Sequence, residues 1–168
     1  MWNHAKSYRT WNECINKIEK MTTAYDLFGN KYQRQLKNFK FRVSVYGILS
    51  KGDKVLMQRH PLLKKYGLPG GGIDLGESIS SALLREFKEE TGLIIKLRKL
   101  LDVTEDFFTY EDEDFHSILI FYEVEKAGGK LITMGNQEDT AEVKYIKLTK
   151  LSRNNTQRVF WKTIAKLF

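Results

Sequence analysis

The stretch REFKEETG, residues 85–92, places Glu86, Glu89 and Glu90 within five residues. A run of like charges is most often a solvated helix face. That reading makes a prediction about the other residues of the same helix. With residues 78–91 on a helix at about 100° per residue and Glu86 at zero, Ile79 falls near 20°, Leu83 near 60°, Phe87 near 100° and Ala82 near −40°. Glu90 then lands near 40° and Glu89 near −60°, while Ser81, Lys88 and Arg85 fill roughly 200–260°. The acids lie on the apolar stripe or at its edge, the reverse of a solvated face.

Such a placement has a cost. Glutamates three and four residues apart on a helix sit about 5–6 Å apart at Cβ. At an effective dielectric near 20 each pair repels by about 3 kcal/mol, and partial burial adds desolvation. Arg85 is adjacent and at i, i+4 to Glu89, so it orients that carboxylate, yet one arginine does not balance three acids. A divalent cation would, and an all-oxygen donor set points to Mg²⁺ or Mn²⁺ over Zn²⁺. A proton shared among the acids is the lesser alternative. His4, His60 and His116 show no zinc spacing.

The surrounding pattern supplies the frame. Phe39, Phe41, Val43 and Val45 alternate, so 39–49 reads as a half-buried strand, with 55–60 its hairpin partner across the turn at 50–54. PLLKKYGLPGGGIDLG, 61–76, is a glycine-dense loop whose backbone could approach a ligand closely; a tight turn is the plain alternative. The helix over 77–92 is closed by Gly92. Strands follow at 93–103, 116–125, 130–132 and 143–146, with an acidic loop at 104–114 and a closing helix at 155–168. Trp11, Ile15 and Ile18 predict an amphipathic helix near 8–21, and 29–38 reads as a connection. Strands outnumber helices and the first two are hairpin-linked, which predicts an α+β fold around a mixed sheet.

Composition narrows the class. A length of 168 residues suits one domain with a short extension. The longest apolar run, in SILIFY, is far too short to cross a bilayer, and the first residues have no apolar core of a signal peptide. Cys14 is the only cysteine, so a reducing, cytoplasmic home is expected. The net charge of +7 is uneven: +6 over 1–50, +4 over 51–100, −7 over 101–150 and +4 over 151–168. A basic body favours an anionic partner such as a nucleotide or RNA, with a surface kept basic for solubility as the rival. The acidic quarter argues against a coat of nucleic acid.

GGIDLGESISSALLREFKEETGL, 71–93, resembles the Nudix box, G-x5-E-x7-R-E-U-x-E-E-x-G-U, where U is a bulky apolar residue. Gly71, Glu77, Arg85, Glu86, Glu89, Glu90 and Gly92 fill the fixed positions, and Phe87 and Leu93 the U positions. At about 7% usage per residue type, seven such matches arise by chance on the order of once in 10⁸ starting points, so the motif is specific. The resemblance implies a Nudix-type α/β/α sandwich over 39–168, with 1–38 as a helical N-terminal extension that the family pattern does not cover. It implies hydrolysis of a diphosphate linkage in a nucleoside diphosphate derivative. The metal would be held by Glu86, Glu89, Glu90 and the Gly70 carbonyl, with Arg85 orienting carboxylates and Glu77 supporting the site.

Outside the box, Arg59 resembles a basic residue that faces phosphate in relatives. Glu138 and Asp139 sit where some relatives carry a further acid that acts as base. Glu105, Asp106 and the run Glu111–Asp114 compete, the run reading rather as a mobile, solvated loop. Tyr110, about seventeen residues past the box, is similar to a tyrosine of dinucleoside polyphosphate hydrolases. The proline that ADP-ribose hydrolases carry about fifteen residues past the box is absent. A dinucleoside polyphosphate or NTP-like substrate is therefore favoured over ADP-ribose. Trp11, Phe108, Tyr110 and Phe115 are candidates for stacking on a base, with core packing the better reading for most of them. The competing functions are a non-catalytic nucleotide-binding protein of the same fold, which would be expected to lose box acids, and an RNA 5′-end pyrophosphohydrolase. Sequence gives no oligomeric state.

Overall fold

The computed structural model of the chain describes residues 20–134 and 140–168. Its strands are β1 (Met21–Asp26), β2 (Lys31–Gln35), β3 (Phe39–Lys51), β4 (Lys54–Arg59), β5 (Tyr66–Gly67), β6 (Gly70–Gly72), β7 (Leu93–Tyr110), β8 (Glu113–Gly129) and β9 (Glu142–Lys147), and its helices are α1 (Ile79–Thr91) and α2 (Arg158–Leu167). The chain divides into two units. One comprises residues up to Phe41 with Phe107–His116; the other comprises Arg42–Asp106 with Ser117–Phe168.

The second, larger unit is an α/β/α sandwich, and strand parity explains it. In the order β7-β8-β3-β4-β5, β6 also pairs with β3 and β9 with β4. Successive side chains on a strand point to opposite faces, and here both faces are apolar. Val45 and Leu49 of β3, Leu56 of β4, Val124 of β8 and Val143 of β9 join Ala82, Leu83 and Phe87 of α1 in one core cluster. Ile48, Val55, Met57, Leu119 and Phe121, from the other face of the same strands, join Phe160 and Ile164 of α2 in a second. Burying each large apolar side chain contributes about 1.5–3 kcal/mol, so each helix is held by its stripe against one sheet face. Two acids of β7 add to the seat of α2: Lys166 Nζ donates to Asp102 at 2.6 Å, and Arg158 bonds Asp106.

The first unit is built on hairpins. β1 and β2 pair antiparallel, while β1 runs parallel to the end of β7 through Tyr25–Phe108 and Asp26–Thr109. The expected helical character of 1–38 is corrected where it is described: residues 21–26 and 31–35 are strands, not helix and connection. The alternation of Tyr32 and Arg34 with glutamines suits β2 as an exposed edge strand. Most of the helix expected near 8–21, with Trp11 and Cys14, lies outside the described residues.

The expected acidic loop at 104–114 is also corrected. β7 continues to Tyr110, and a two-residue turn at Glu111 and Asp112, both with positive φ (48° and 63°), leads into β8. That backbone matches the twist of a tight hairpin. Two of the acids that suggested a solvated, mobile loop have partners elsewhere in sequence: Asp114 pairs with Arg34 at 3.3 Å and Glu113 with Lys40. The strand expected at 130–132 is absent. The Ile132 N–H instead donates to the Thr91 carbonyl at 3.0 Å, tying this segment to the end of α1.

Helix α1 begins where Ser78, in extended conformation, accepts from the Ser81 N–H, and ends at Gly92 with φ 71°. A methyl group on Gly92 would stand 2.5 Å from the Lys130 carbonyl oxygen, whereas Gly76, with φ 84°, faces open space. Gly76→Ala is expected to cost about 1 kcal/mol from backbone strain alone, and Gly92→Ala clearly more, as read by urea denaturation. Equal losses would mean that the Lys130 carbonyl moves aside freely.

Candidate active site

The candidate site lies in the larger unit, where α1 faces the three-glycine strand β6. β6 pairs antiparallel with β3, Tyr46 opposite Gly70, Val45 opposite Gly71 and Ser44 opposite Gly72. Gly70 adopts φ 133°, and a Cβ there would meet the Val45 carbonyl oxygen at 2.2 Å. At Gly71 a Cβ would stand 2.5 Å from Glu86 Oε1 and 2.9 Å from Oε2. The missing side chain thus lets a carboxylate of the helix lie directly on the strand backbone.

Arg85 organises one side of the site. Its Nε and Nη2 donate to the two oxygens of Glu77 at 3.0 and 2.9 Å, a fork matched to a carboxylate. Nη1 donates to Glu86 Oε1 at 2.9 Å and to Glu89 Oε2 at 3.4 Å, and Nη2 reaches the Gly72 carbonyl at 3.2 Å. The Asp74 N–H also donates to Glu77, at 3.2 Å. The arginine therefore serves Glu77 and Glu86 first and Glu89 only weakly, although spacing alone pointed to Glu89.

The three box acids are not equivalent. Glu86 is half-buried at 18% side-chain exposure and Glu89 is 60% exposed. Glu90, also half-buried, accepts from the Gly70 N–H at 2.8 Å and from Gln58 Nε2 at 2.9 Å. Ile79, expected inside the apolar stripe, is 39% exposed, because it stands in the first turn, beyond the edge of the sheet contact. The stripe itself, Ala82, Leu83 and Phe87, is buried as the spacing predicts.

Electrostatics follow from these positions. Burial pushes the Glu86 carboxyl above its ordinary range, against the opposing pull of Arg85, and Glu89 adds repulsion. Glu77 is held below that range chiefly by its hydrogen bond to Arg85, and Glu77 in turn holds the Arg85 guanidinium high. Beside them, burial pushes the Tyr46 hydroxyl up to about 12, so it stays a neutral phenol.

Gln58, Thr140, Asp74 and Arg42 were missed in the sequence. Gln58 had a signal, a polar residue at an inward position of the apolar strand VLMQR. Arg42 had none; it stands where a Cβ on Gly72 would be 3.0 Å from its Nη2, and its charge favours ionised Glu86. Arg59 stands on the face of β4 opposite Gln58 and donates through Nε to the Lys64 carbonyl at 3.3 Å. Tyr110 belongs to the other unit. Glu138 and Asp139 lie outside the described residues.

The donors suit a hard divalent cation: half-buried carboxylates, backbone carbonyls beside them, and four glutamates against Arg85 and the nearby Arg42. As the side chains stand, Glu86 turns to Arg85 and Glu90 to Gly70 and Gln58, and no group of three acidic, histidine or cysteine side chains among the described residues encloses an ion. No helix among them is long and apolar enough to cross a membrane.

The chain is similar to several known proteins. The model of the NUDIX domain matches residues 39–167. An ADP-ribose pyrophosphatase of Methanocaldococcus jannaschii is 33% identical over 145 residues, 77% of this chain and 82% of the relative. An RNA pyrophosphohydrolase of Ruthia magnifica subsp. Calyptogena magnifica is 38% identical over 78 residues, covering 45% of this chain and 43% of the relative. Among solved structures, a MutT NUDIX hydrolase from Burkholderia pseudomallei superposes with a TM-score of 0.63 at 20% identity, over 77% of this chain and 99% of that one.

The raised Glu86 carboxyl has a consequence for stability. A carboxyl whose folded value lies above the unfolded one favours folding while protonated, and that contribution is lost as pH rises through the folded value. Glu86→Gln, which mimics the protonated form, is expected to raise the melting temperature of the metal-free protein at pH 7. The gain should shrink as pH falls through that raised value and be gone below the ordinary glutamate range. A lower melting temperature at pH 7 would show that the bond to Arg85 outweighs desolvation.

Proposed function

The chain belongs to the Nudix family, as a pyrophosphohydrolase, and on that premise we propose that it cleaves a diphosphate linkage in a nucleoside diphosphate derivative with the help of Mg²⁺, Mn²⁺ serving in its place. The observation that carries this reading is the seat of Glu86 and Glu90, two half-buried carboxylates held by α1 against the backbone of β6 at Gly70 and Gly71.

In this reading Glu86, Glu89, Glu90 and the Gly70 carbonyl hold the cation. The bound ion would neutralise the diphosphate and lower the pKa of water. The chain's own residues do the rest. Arg85 keeps the Glu86 carboxylate turned toward Gly71 and is itself fixed by Glu77, so both are positioning residues. Arg42, beside Gly72, is the proposed contact for substrate phosphate. Glu138 or Asp139 is the proposed base that takes the proton from water. Glu89 is the alternative, since it is the most exposed of the box acids and the most weakly held. We further propose residues 39–168 as the hydrolase domain, 1–38 as an extension to it, and a cytoplasmic setting.

For the substrate, likeness to the ADP-ribose pyrophosphatase over most of both chains favours a nucleoside diphosphate sugar such as ADP-ribose. Tyr110 and the missing proline favour a dinucleoside polyphosphate. Likeness to an RNA pyrophosphohydrolase and the +7 charge keep triphosphorylated RNA as a second reading. A panel of ADP-ribose, dinucleoside polyphosphates, NTPs and 5′-triphosphorylated RNA, assayed with Mg²⁺ and with chelator, tests all of these. One of the four should turn over with Mg²⁺ alone, and unchanged turnover in chelator would overturn the metal reading.

Glu90→Gln keeps volume but removes a ligand charge. It is expected to lower kcat at least a hundredfold, about 2.7 kcal/mol, without lowering the melting temperature of the metal-free protein. Full activity of that variant would make Glu90 structural. Alanine at Glu138 and at Asp139 should lower turnover by more than about tenfold at one of them, roughly 1.4 kcal/mol; if neither does, the base is Glu89.

A further inference from the structure

Strand β4 places Leu56 and Gln58 on the sheet face that carries α1. Leu56 is fully buried, so the pattern asks for an apolar side chain two residues on. A primary amide there costs free energy unless its donors and acceptor are matched. Gln58 Nε2 donates to Glu90 Oε1 at 2.9 Å and lies 3.4 Å from the Leu68 carbonyl oxygen. Its Oε1 accepts from Thr140 Oγ1 at 3.0 Å, and Thr140 is 1% exposed.

The amide has one workable orientation. Turned over, its oxygen would face the Glu90 carboxylate and the Leu68 carbonyl, which are both acceptors. The Thr140 hydroxyl can donate or accept, so it adapts to the orientation those two groups impose and then holds it. Each oxygen of Glu90 thus has one neutral donor from this set, the Gly70 N–H on Oε2 and the Gln58 amide on Oε1. Glu86 and Glu89, in contrast, share the cationic Arg85. A cationic donor at position 58 would compensate the charge that a metal ligand needs. A neutral amide fixes the carboxylate without itself cancelling its charge.

We propose that Gln58 is a positioning residue that sets the Glu90 carboxylate for cation binding, and that Thr140 acts on Glu90 through Gln58. This rests on Glu90 being a metal ligand, as proposed above. Groups that orient metal ligands in this way typically change metal affinity by 10–100-fold when lost.

The test uses Mn²⁺ alone as the probe, with the free ion followed by electron paramagnetic resonance, so no substrate is needed. Full-length wild type is compared with Gln58→Met, Thr140→Val, the double variant and Glu90→Gln. Gln58→Met is expected to weaken Mn²⁺ binding about tenfold or more, with the melting temperature of the metal-free protein within a few degrees of wild type. Thr140→Val should weaken it less, and the double variant should be no worse than Gln58→Met, because the two residues act in series. Wild-type affinity in Gln58→Met, or multiplied effects in the double variant, would overturn the proposal. If Gln58→Met does not fold, Gln58→Asn, which withdraws the amide by one carbon, carries the same test: weakened binding supports the proposal and unchanged binding overturns it. If wild type fails to bind Mn²⁺, or Glu90→Gln binds it equally well, the metal reading of Glu90 fails and the role of Gln58 with it.

Discussion

The arrangement of the site depends on one close approach, that of the Glu86 carboxylate to the backbone of β6 at Gly71. A side chain on that strand would stand within bond-clash distance of the carboxylate. The approach requires glycine on the strand, a helix whose stripe seats it firmly on the sheet, and an arginine to hold the acid in its second direction. Ser78 and Gly92 fix where the helix starts and stops. Ala82, Leu83 and Phe87 fix its rotation about its own axis. With start and rotation set, the side from which residues 85, 86, 89 and 90 project is fixed, and Arg85 and Gln58 settle the rotamers of Glu86 and Glu90.

The site also shows how one sheet serves chemistry and stability at once. β4 carries Leu56 and Gln58 toward α1 and Val55 and Met57 toward α2. A single strand therefore positions a ligand-orienting amide on one side while Val55 and Met57 pack on its other side. The acids of the site are unequally neutralised, because Arg85 is divided among Glu77, Glu86 and Glu89. That imbalance is the physical reason a cation would be favoured there.

Much of this was legible in the sequence. The alternation of 39–49, the cap signals of α1 and the pattern of 155–168 each describe local physics, and the elements lie where those patterns put them. Placing the acids on the apolar stripe held for Glu86 and Glu90, and Glu89 proved more exposed. What could not be read depended on partners distant in sequence. Asp106, Glu113 and Asp114 looked solvated because Arg158, Lys40 and Arg34, their partners, are far away along the chain. Gln58 breaks the apolar pattern of β4, but its partners, Glu90 and Thr140, lie 32 and 82 residues away. The 130–132 segment has strand-like composition but is held by the end of α1 instead.

The seat of α2 bears on how the chain is made. Phe160 packs where Gly67 has no side chain, a Cβ there falling 3.0 Å from its ring, and with Ile164 it covers the face formed by Ile48, Val55, Met57 and Phe121. During synthesis those strands leave the ribosome well before α2 does. One side of the nascent sheet is then greasy and uncovered until residues 158–167 emerge, an interval in which such surfaces engage chaperones or one another.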